Sequence, residues 1–321
     1  MAEYFSMLNP EALFNSCPGG IAQGLIWGVM ALGLFLTFKM LNFADLTVDG
    51  SLATGGSVCI MMIFNGYNPQ LALLVSFVAG VLAGIVTGIL HTTLGIPDIL
   101  AGILTQIALY SINLNILGKA NQAINVNQVK LYFTSNINLL NKTIMIVAAC
   151  LIVIILILYW YLGTEQGSAI RATGINPNMA KAQGININHM KIIALALSNG
   201  LVALAGGMLA QYQGFADVNM GRGAIVIGLA AVIIGEVIGE ALLRKRLNFI
   251  LRLFFVVVGA VIYYLVYVFV LWLKFPADDM KLLTAIVVAI FLAVPYLKNA
   301  RKNSFRRLAR ENKKNGLTVE E

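Results

Sequence analysis

Residues 143–213 read TIMIVAACLIVIILILYWYL (143–162), GTEQGSAIRATGINPNMAKAQGININHM (163–190) and KIIALALSNGLVALAGGMLAQYQ (191–213). The outer two segments are each long enough to cross a bilayer, which takes about 20 apolar residues. The middle segment turns to Gly, Asn, Gln and scattered charge, then gives way to apolar sequence again. That pattern decides the fold class. The chain is an all-α polytopic membrane protein, and 163–190 is a polar platform between two of its spans.

Composition agrees. Of 321 residues, 59% are hydrophobic and only 11% charged, against roughly 25% charged in a soluble domain. The same hydropathy reading marks spans at 19–41, 50–66, 70–90, 94–117, 143–162, 191–213, 224–243, 249–273 and 281–297. We expect about nine transmembrane helices, within a range of eight to ten. They form one transmembrane domain over 1–297, followed by a basic tail, 298–321. No cleavable leader is read at the N-terminus, where acidic residues precede the first apolar run.

The net charge of +8 is local. KNARKNSFRRLARENKKNG (298–316) holds eight Lys/Arg. Beside a span, such a run is an anchor against anionic membrane lipid rather than a nucleic-acid site. Taking alternate loops, fifteen Lys/Arg fall on the side of 163–191, 244–252 and the tail, and six on the other. The richer side is expected to be cytoplasmic. This puts the N-terminus outside, and the platform and C-terminus inside.

Catalytic and metal chemistry find no footing. Cys17, Cys59 and Cys150 have no paired spacing. His91 and His189 lie in separate loops. HExxH, GxSxG and GxxxxGK[ST] are all missing. The chain is therefore not read as an enzyme, it carries no cofactor or metal, and any ATP and Mg must sit on a partner.

Within the platform, Asn176 suits a helix N-cap, Pro177 the first helical position and Gly184 the left-handed stop. The two turns between them cannot be stable alone in water, so they pack on the spans or on another protein. Gly20, Gly24 and Gly28, and again Gly80, Gly84 and Gly88, predict close helix packing in lipid.

NFADLTVDGS (42–51) interrupts the apolar run after the first span. Asp45 and Asp49 are both good caps. The segment is either a plain cytoplasmic turn or a broken helix facing a polar cavity. With Asn42, Asp98 and Glu236, these carboxylates are the candidates for lining a pathway. Plainer readings stand beside them. Lys39 can snorkel, Asp98 can start a helix, and Glu236 and Glu240 can pair with Arg244. QYQGFADVNMGRG (211–223) is read as an outer-face connection, with Gln213, Asp217, Asn219 and Arg222 offering polar docking contacts. The Asn-rich loop 118–142 is a second candidate.

ALSNGLVALAGGMLAQYQGFADVNMGRGAIVIGLAAVIIGE (196–236) following the platform resembles the permease subunits of bacterial ABC importers for branched-chain amino acids, ribose and related solutes. GLIWGVMALGLFLTFKMLNFADLTVDGSLATGGSV (24–58) resembles the first hairpin of that family. IPDILAGILTQIALYSINLNILG (96–118) is similar to a subgroup paired with lipoprotein binding proteins, from which Asp98 departs. The resemblance covers about residues 20–240 and weakens after 245. It implies a homodimer in the bacterial cytoplasmic membrane, a cytoplasmic ATPase dimer and an extracytoplasmic binding protein. It also implies a split helix at 42–51 and a coupling helix at the platform. The coupling residues would be Arg171, Gly174, Asn176, Pro177, Asn178, Met179, Ala180, Lys181 and Gly184. The expected solute is an amino acid or similar small molecule. The competing class is a stand-alone ion-coupled secondary transporter.

Overall fold

The computed structural model describes residues 10–126, 131–135, 139–243 and 248–273, with isolated helical residues at 282, 285, 286, 289 and 293. By internal contacts the chain divides into Met1–Lys274 and Phe275–Glu321. The expected ninth span, 281–297, falls in the second unit, where only those five residues are described, and the basic tail lies outside them.

Eight helices of the first unit are long and apolar enough to cross a membrane. They are α1 (Pro10–Leu34, continued by a π-helical turn, Phe35–Met40), α2 (Thr47–Phe64), α3 (Pro69–Thr92), α4 (Asp98–Leu117), α5 (Leu140–Gly163), α8 (Ile187–Gln213), α9 (Ala224–Leu243) and α10 (Phe249–Trp272). Two short helices form the platform: α6 (Glu165–Ile175) and α7 (Pro177–Ala182). Each expected span from the first to the eighth has its helix.

The ends differ for local reasons. Helix α1 begins nine residues before the apolar run, since hydropathy reports lipid contact and not hydrogen bonding. Helix α4 begins at Asp98 rather than at 94. Gly95 adopts φ +69° and Pro97 is extended, so the helix cannot start sooner.

Helices α1, α2 and α8 are the most enclosed, and α3, α4, α5 and α9 surround them with one face outward. Without a hydrophobic drive in lipid, contact depends on backbones approaching closely. The Gly80/Gly84/Gly88 series supplies that approach. These residues lie against Asn199, Leu195 and Ile192 of α8 in turn, which also fixes α3 antiparallel to α8. Gly20, Gly24 and Gly28 do the same for α1 against Val268, Val261 and Val257 of α10. Helices α2 and α8 run parallel, with Ser51 opposite Asn199, Gly55 opposite Ala203 and Cys59 opposite Gln211.

A two-stranded antiparallel ribbon closes one end of the bundle. In it β1 (Asn121–Ala123) pairs with β2 (Phe215–Asp217), Asn121 opposite Asp217 and Ala123 opposite Phe215. Ala216 and Val218 bury against Ile60, Leu117 and Ala210 beneath it. The two loops treated separately in the sequence are thus one structure. Their alternating pattern is only three residues long, too short to be read as strand.

Candidate functional site

At the end opposite the ribbon, the platform is locally specified. Thr164 caps α6, its side chain accepting from Gly167 N at 3.4 Å. The Asn176 side chain accepts from Met179 N at 3.1 Å, Pro177 opens α7, and Gly184 stops it at φ +80°. Asn186 then caps α8, accepting from His189 N at 3.2 Å. Asn176, Pro177, Asn178, Met179, Lys181 and Gly184 face outward, and Ala180 faces in. Ile175 is 86% exposed and Met179 62%, an unusual outlay of apolar surface on an otherwise polar element. Arg171 turns inward instead. Its guanidinium lies 5.8 Å from the Phe249 ring and donates to Ser168 Oγ at 3.2 Å.

The platform rests on the break between α1 and α2. Gly174 packs on the Met40 carbonyl, where a side chain would not fit. Leu41, Phe43 and Ile170 form one buried cluster with Ala194 and Leu195 of α8. Asn42 turns the corner at φ +54°, a left-handed conformation that Asn tolerates. From there the chain climbs into the bundle, unwound, to Asp45.

Asp45 is buried and fully engaged. It accepts from Thr47 N at 2.9 Å and from Asn199 Nδ2 at 2.7 Å, while Ser51 donates to Asn199 Oδ1 at 2.6 Å. Thr47, Thr87 and Thr105 continue the chain of hydroxyls at 2.8 and 3.0 Å. Asn199 stands twelve residues into α8, about 18 Å along it. The break is therefore irregular backbone at 41–46, helical again from Thr47, with Leu41, Phe43 and Asp45 buried in protein, as bilayer depth requires.

Asp49 does something the sequence did not show. Instead of capping its own helix, it accepts from Gly223 N and Ile225 N, both at 2.9 Å, and so caps α9 across the bundle. Gly221 packs on the Asp49 backbone. In the parallel register of α2 and α8, Asp49 lies level with Leu197, ten residues on from the first of α8 and about 15 Å from its start. The 214–223 connection, expected wholly on the outer face, descends from the ribbon into the interior, and α9 starts at depth.

Beside this junction is a cleft of about 400 Å³ between α2, α4 and the descending segment. It is lined by Asp49, Gln106, Tyr110, Asn113 and Arg222 with Ile103, Ile107 and Ala53. Gln106, Tyr110 and Asn113 were missed in the sequence. Their i, i+4, i+7 spacing on an apolar helix was the available signal.

The remaining candidates scatter. Asp98 sits at the first position of α4 and accepts from Ile99 N at 2.9 Å, a helix-start role. Glu236 forms an ion pair with Lys39 at 2.8 Å, so Lys39 is paired rather than snorkelling. The expected partner of Glu236 and Glu240, Arg244, lies outside the described residues. Gln213, Asp217 and Asn219 line a second cleft near the ribbon, of about 530 Å³, with Trp27, Tyr264 and Tyr267, whereas Arg222 belongs to the first cleft. Among the described residues no group of three His, Cys, Asp or Glu side chains is placed to hold a metal.

A bundle of membrane-crossing helices with an enclosed helix break, a polar cleft at depth and a capped platform at one end defines a multi-pass membrane protein. The chain belongs to the family described as branched-chain amino acid transport system / permease component, whose model matches residues 18–294, and it is an ABC importer permease of that family. It is 39% identical over 288 residues to the tyrosine transport system permease protein of Clostridioides difficile (strain R20291), covering 90% of this chain and 94% of that one. It is 30% identical to the uncharacterized protein RP368 of Rickettsia prowazekii (strain Madrid E), over 85% and 95% of the two chains. It is 31% identical to the galactofuranose transporter permease protein YtfT of Escherichia coli (strain K12), over 90% and 82%.

Proposed function

We propose that this chain is the membrane subunit of an ATP-driven importer in a bacterial cytoplasmic membrane. Two copies form the pathway. A cytoplasmic ATPase dimer holding ATP and Mg docks on the platform. An extracytoplasmic binding protein, a lipoprotein, delivers the solute at the ribbon end to Gln213, Asp217 and Asn219. The platform end is cytoplasmic, the N-terminus outside, and the domain over 1–297 is followed by a basic cytoplasmic tail attracted to anionic membrane lipid. The solute is an amino acid or a molecule of similar size. The tyrosine relative makes aromatic amino acids the first to test.

The carrying observation is the platform. A six-residue helix with side-chain N-cap, Pro start and glycine stop exposes Met179 at its centre and presses, through Gly174 and Ile170, on the enclosed helix break. Force applied at Met179 reaches the Asp45–Asn199 network through rigid, packed elements, so repacking of α1, α2 and α8 can switch access to the pathway. Asn42, Asp45, Asp49 and Glu236 fall along that route, and Asp98 starts the helix that lines the cleft.

In cells expressing the chain with its chromosomal neighbours, uptake of the solute should stop with orthovanadate and persist, at constant ATP, after an uncoupler removes the ion gradient. The reverse pattern, uptake abolished by the uncoupler and indifferent to vanadate, would make the chain a secondary transporter and overturn the proposal.

A further inference from the structure

The cleft beside α4 holds one polar side chain that nothing in the fold accounts for. Asn113 is fully buried, and neither its Nδ2 nor its Oδ1 has a hydrogen-bond partner. Buried amides are almost always satisfied, because leaving one unpaired forfeits its hydration for nothing. Two amide donors and one acceptor therefore line a cavity with room for a small ligand.

The charges around it have a sign. Asp49 lines the same cleft, but both its oxygens are engaged by backbone N–H groups at the start of α9, the end of a helix that carries partial positive charge. Arg222 adds a full positive charge and makes no ion pair among the described residues. Arg222 offsets the Asp49 charge and the partial positive charge of the α9 start remains, so the balance tips toward an anion, and the guanidinium fork matches a carboxylate. Ile103, Ile107 and Tyr110 provide an apolar wall next to these groups.

On the importer reading above, we infer that this cleft is a solute-binding subsite partway along the pathway, in which Arg222 and the Asn113 amide grip a carboxylate and the α4 wall holds the apolar part of the same molecule. The same chemistry would take the phosphate of a lipid headgroup. The depth of Asp49, about 15 Å inside the bundle, puts the cleft below headgroup level. A solute is the occupant.

The test works whatever the solute is. Gln106→Cys is introduced into a full-length chain whose Cys17, Cys59 and Cys150 are alanine, and the protein is placed in lipid nanodiscs. It is reacted with a methanethiosulfonate carrying a sulfonate and with one carrying a trimethylammonium group, each rate divided by that for free 2-mercaptoethanol. Both reagents attack the same thiolate, so their ratio is independent of the thiol's acidity. The sulfonate should be favoured about 10-fold, the local enrichment a focused positive field gives, and Arg222→Gln should erase the preference. Reaction with neither reagent, a cation preference, or a preference that survives Arg222→Gln would overturn the inference. Lipid sealing the cleft would show as the first of these.

A second measurement separates binding from structure. Asn113→Leu, which removes the unpaired amide at similar volume, should melt no lower than the wild type and yet lower uptake about 10-fold, the loss expected when a site's polar contact to its ligand is removed. Uptake at the wild-type level would overturn the inference. Should the wild-type assembly import no amino acid while the anion preference holds, the amino-acid assignment falls and the subsite stands.

Discussion

Gly55→Val should yield almost no folded protein. A Cβ at Gly55 would sit inside the Ala203 carbonyl of α8, and the reciprocal position, Gly206, is pressed in the same way on the Leu52 carbonyl of α2. These are backbone atoms of two enclosed helices, so no side chain can swing aside. The helices would have to part, losing packing along α2 and breaking the buried Ser51–Asn199 bond and the Ser76 bond to the Gly55 carbonyl. Changes of this kind lie beyond the usual range, at more than about 4 kcal/mol. The measurement is the monodisperse fraction after detergent extraction and size exclusion. Gly163→Ala is the control, since a Cβ there meets nothing within 4 Å. Equal recovery of the two variants would mean that α2 and α8 are not in close contact.

Asp49→Ala should lower the melting temperature strongly while leaving the chain foldable. Two N–H groups at the start of α9 lose their acceptor at a depth where water is scarce, which costs about 2–5 kcal/mol. Asp49→Asn keeps one acceptor oxygen and should fall between. Asp98→Ala serves as comparison, because Asp98 is a first-turn carboxylate that accepts only from its immediate neighbour at a half-exposed helix start, worth about 0.3–1 kcal/mol. If Asp49→Ala melts with Asp98→Ala, the start of α9 is not held from α2.

What could be read from the sequence was what is local. The first eight spans follow from runs of apolar residues, and the platform from Asn176, Pro177 and Gly184, each of which acts within four residues of itself. The glycine triplets announced close packing without naming a partner. What could not be read was pairing across the chain. Asp49 is 174 positions from the amide it caps, and Asp45 is 154 from Asn199. A carboxylate with capping chemistry looks the same whichever helix it serves. The cleft was hidden for a related reason. Gln106, Tyr110 and Asn113 look incidental in an apolar helix until the descending segment brings Arg222 beside them. Arg171, read with the docking face, is laid by the fold against Phe249, a contact 78 positions away that the sequence could not display.

If an ATPase engages the platform, Met179 at the centre of α7 is where the contact can be broken. The tagged chain is purified from a strain carrying its chromosomal neighbours, as wild type and as Met179→Glu, and the eluate is assayed for an ATPase subunit by mass spectrometry and ATP hydrolysis. Met179 is 62% exposed, so the substitution leaves the bundle intact and places a charge on the apolar centre of α7. An ATPase should co-elute with the wild type and be lost at least about 10-fold with Met179→Glu, as for a charge buried unpaired at an interface. An ATPase retained equally by both, or by neither while both remain monodisperse, would contradict it.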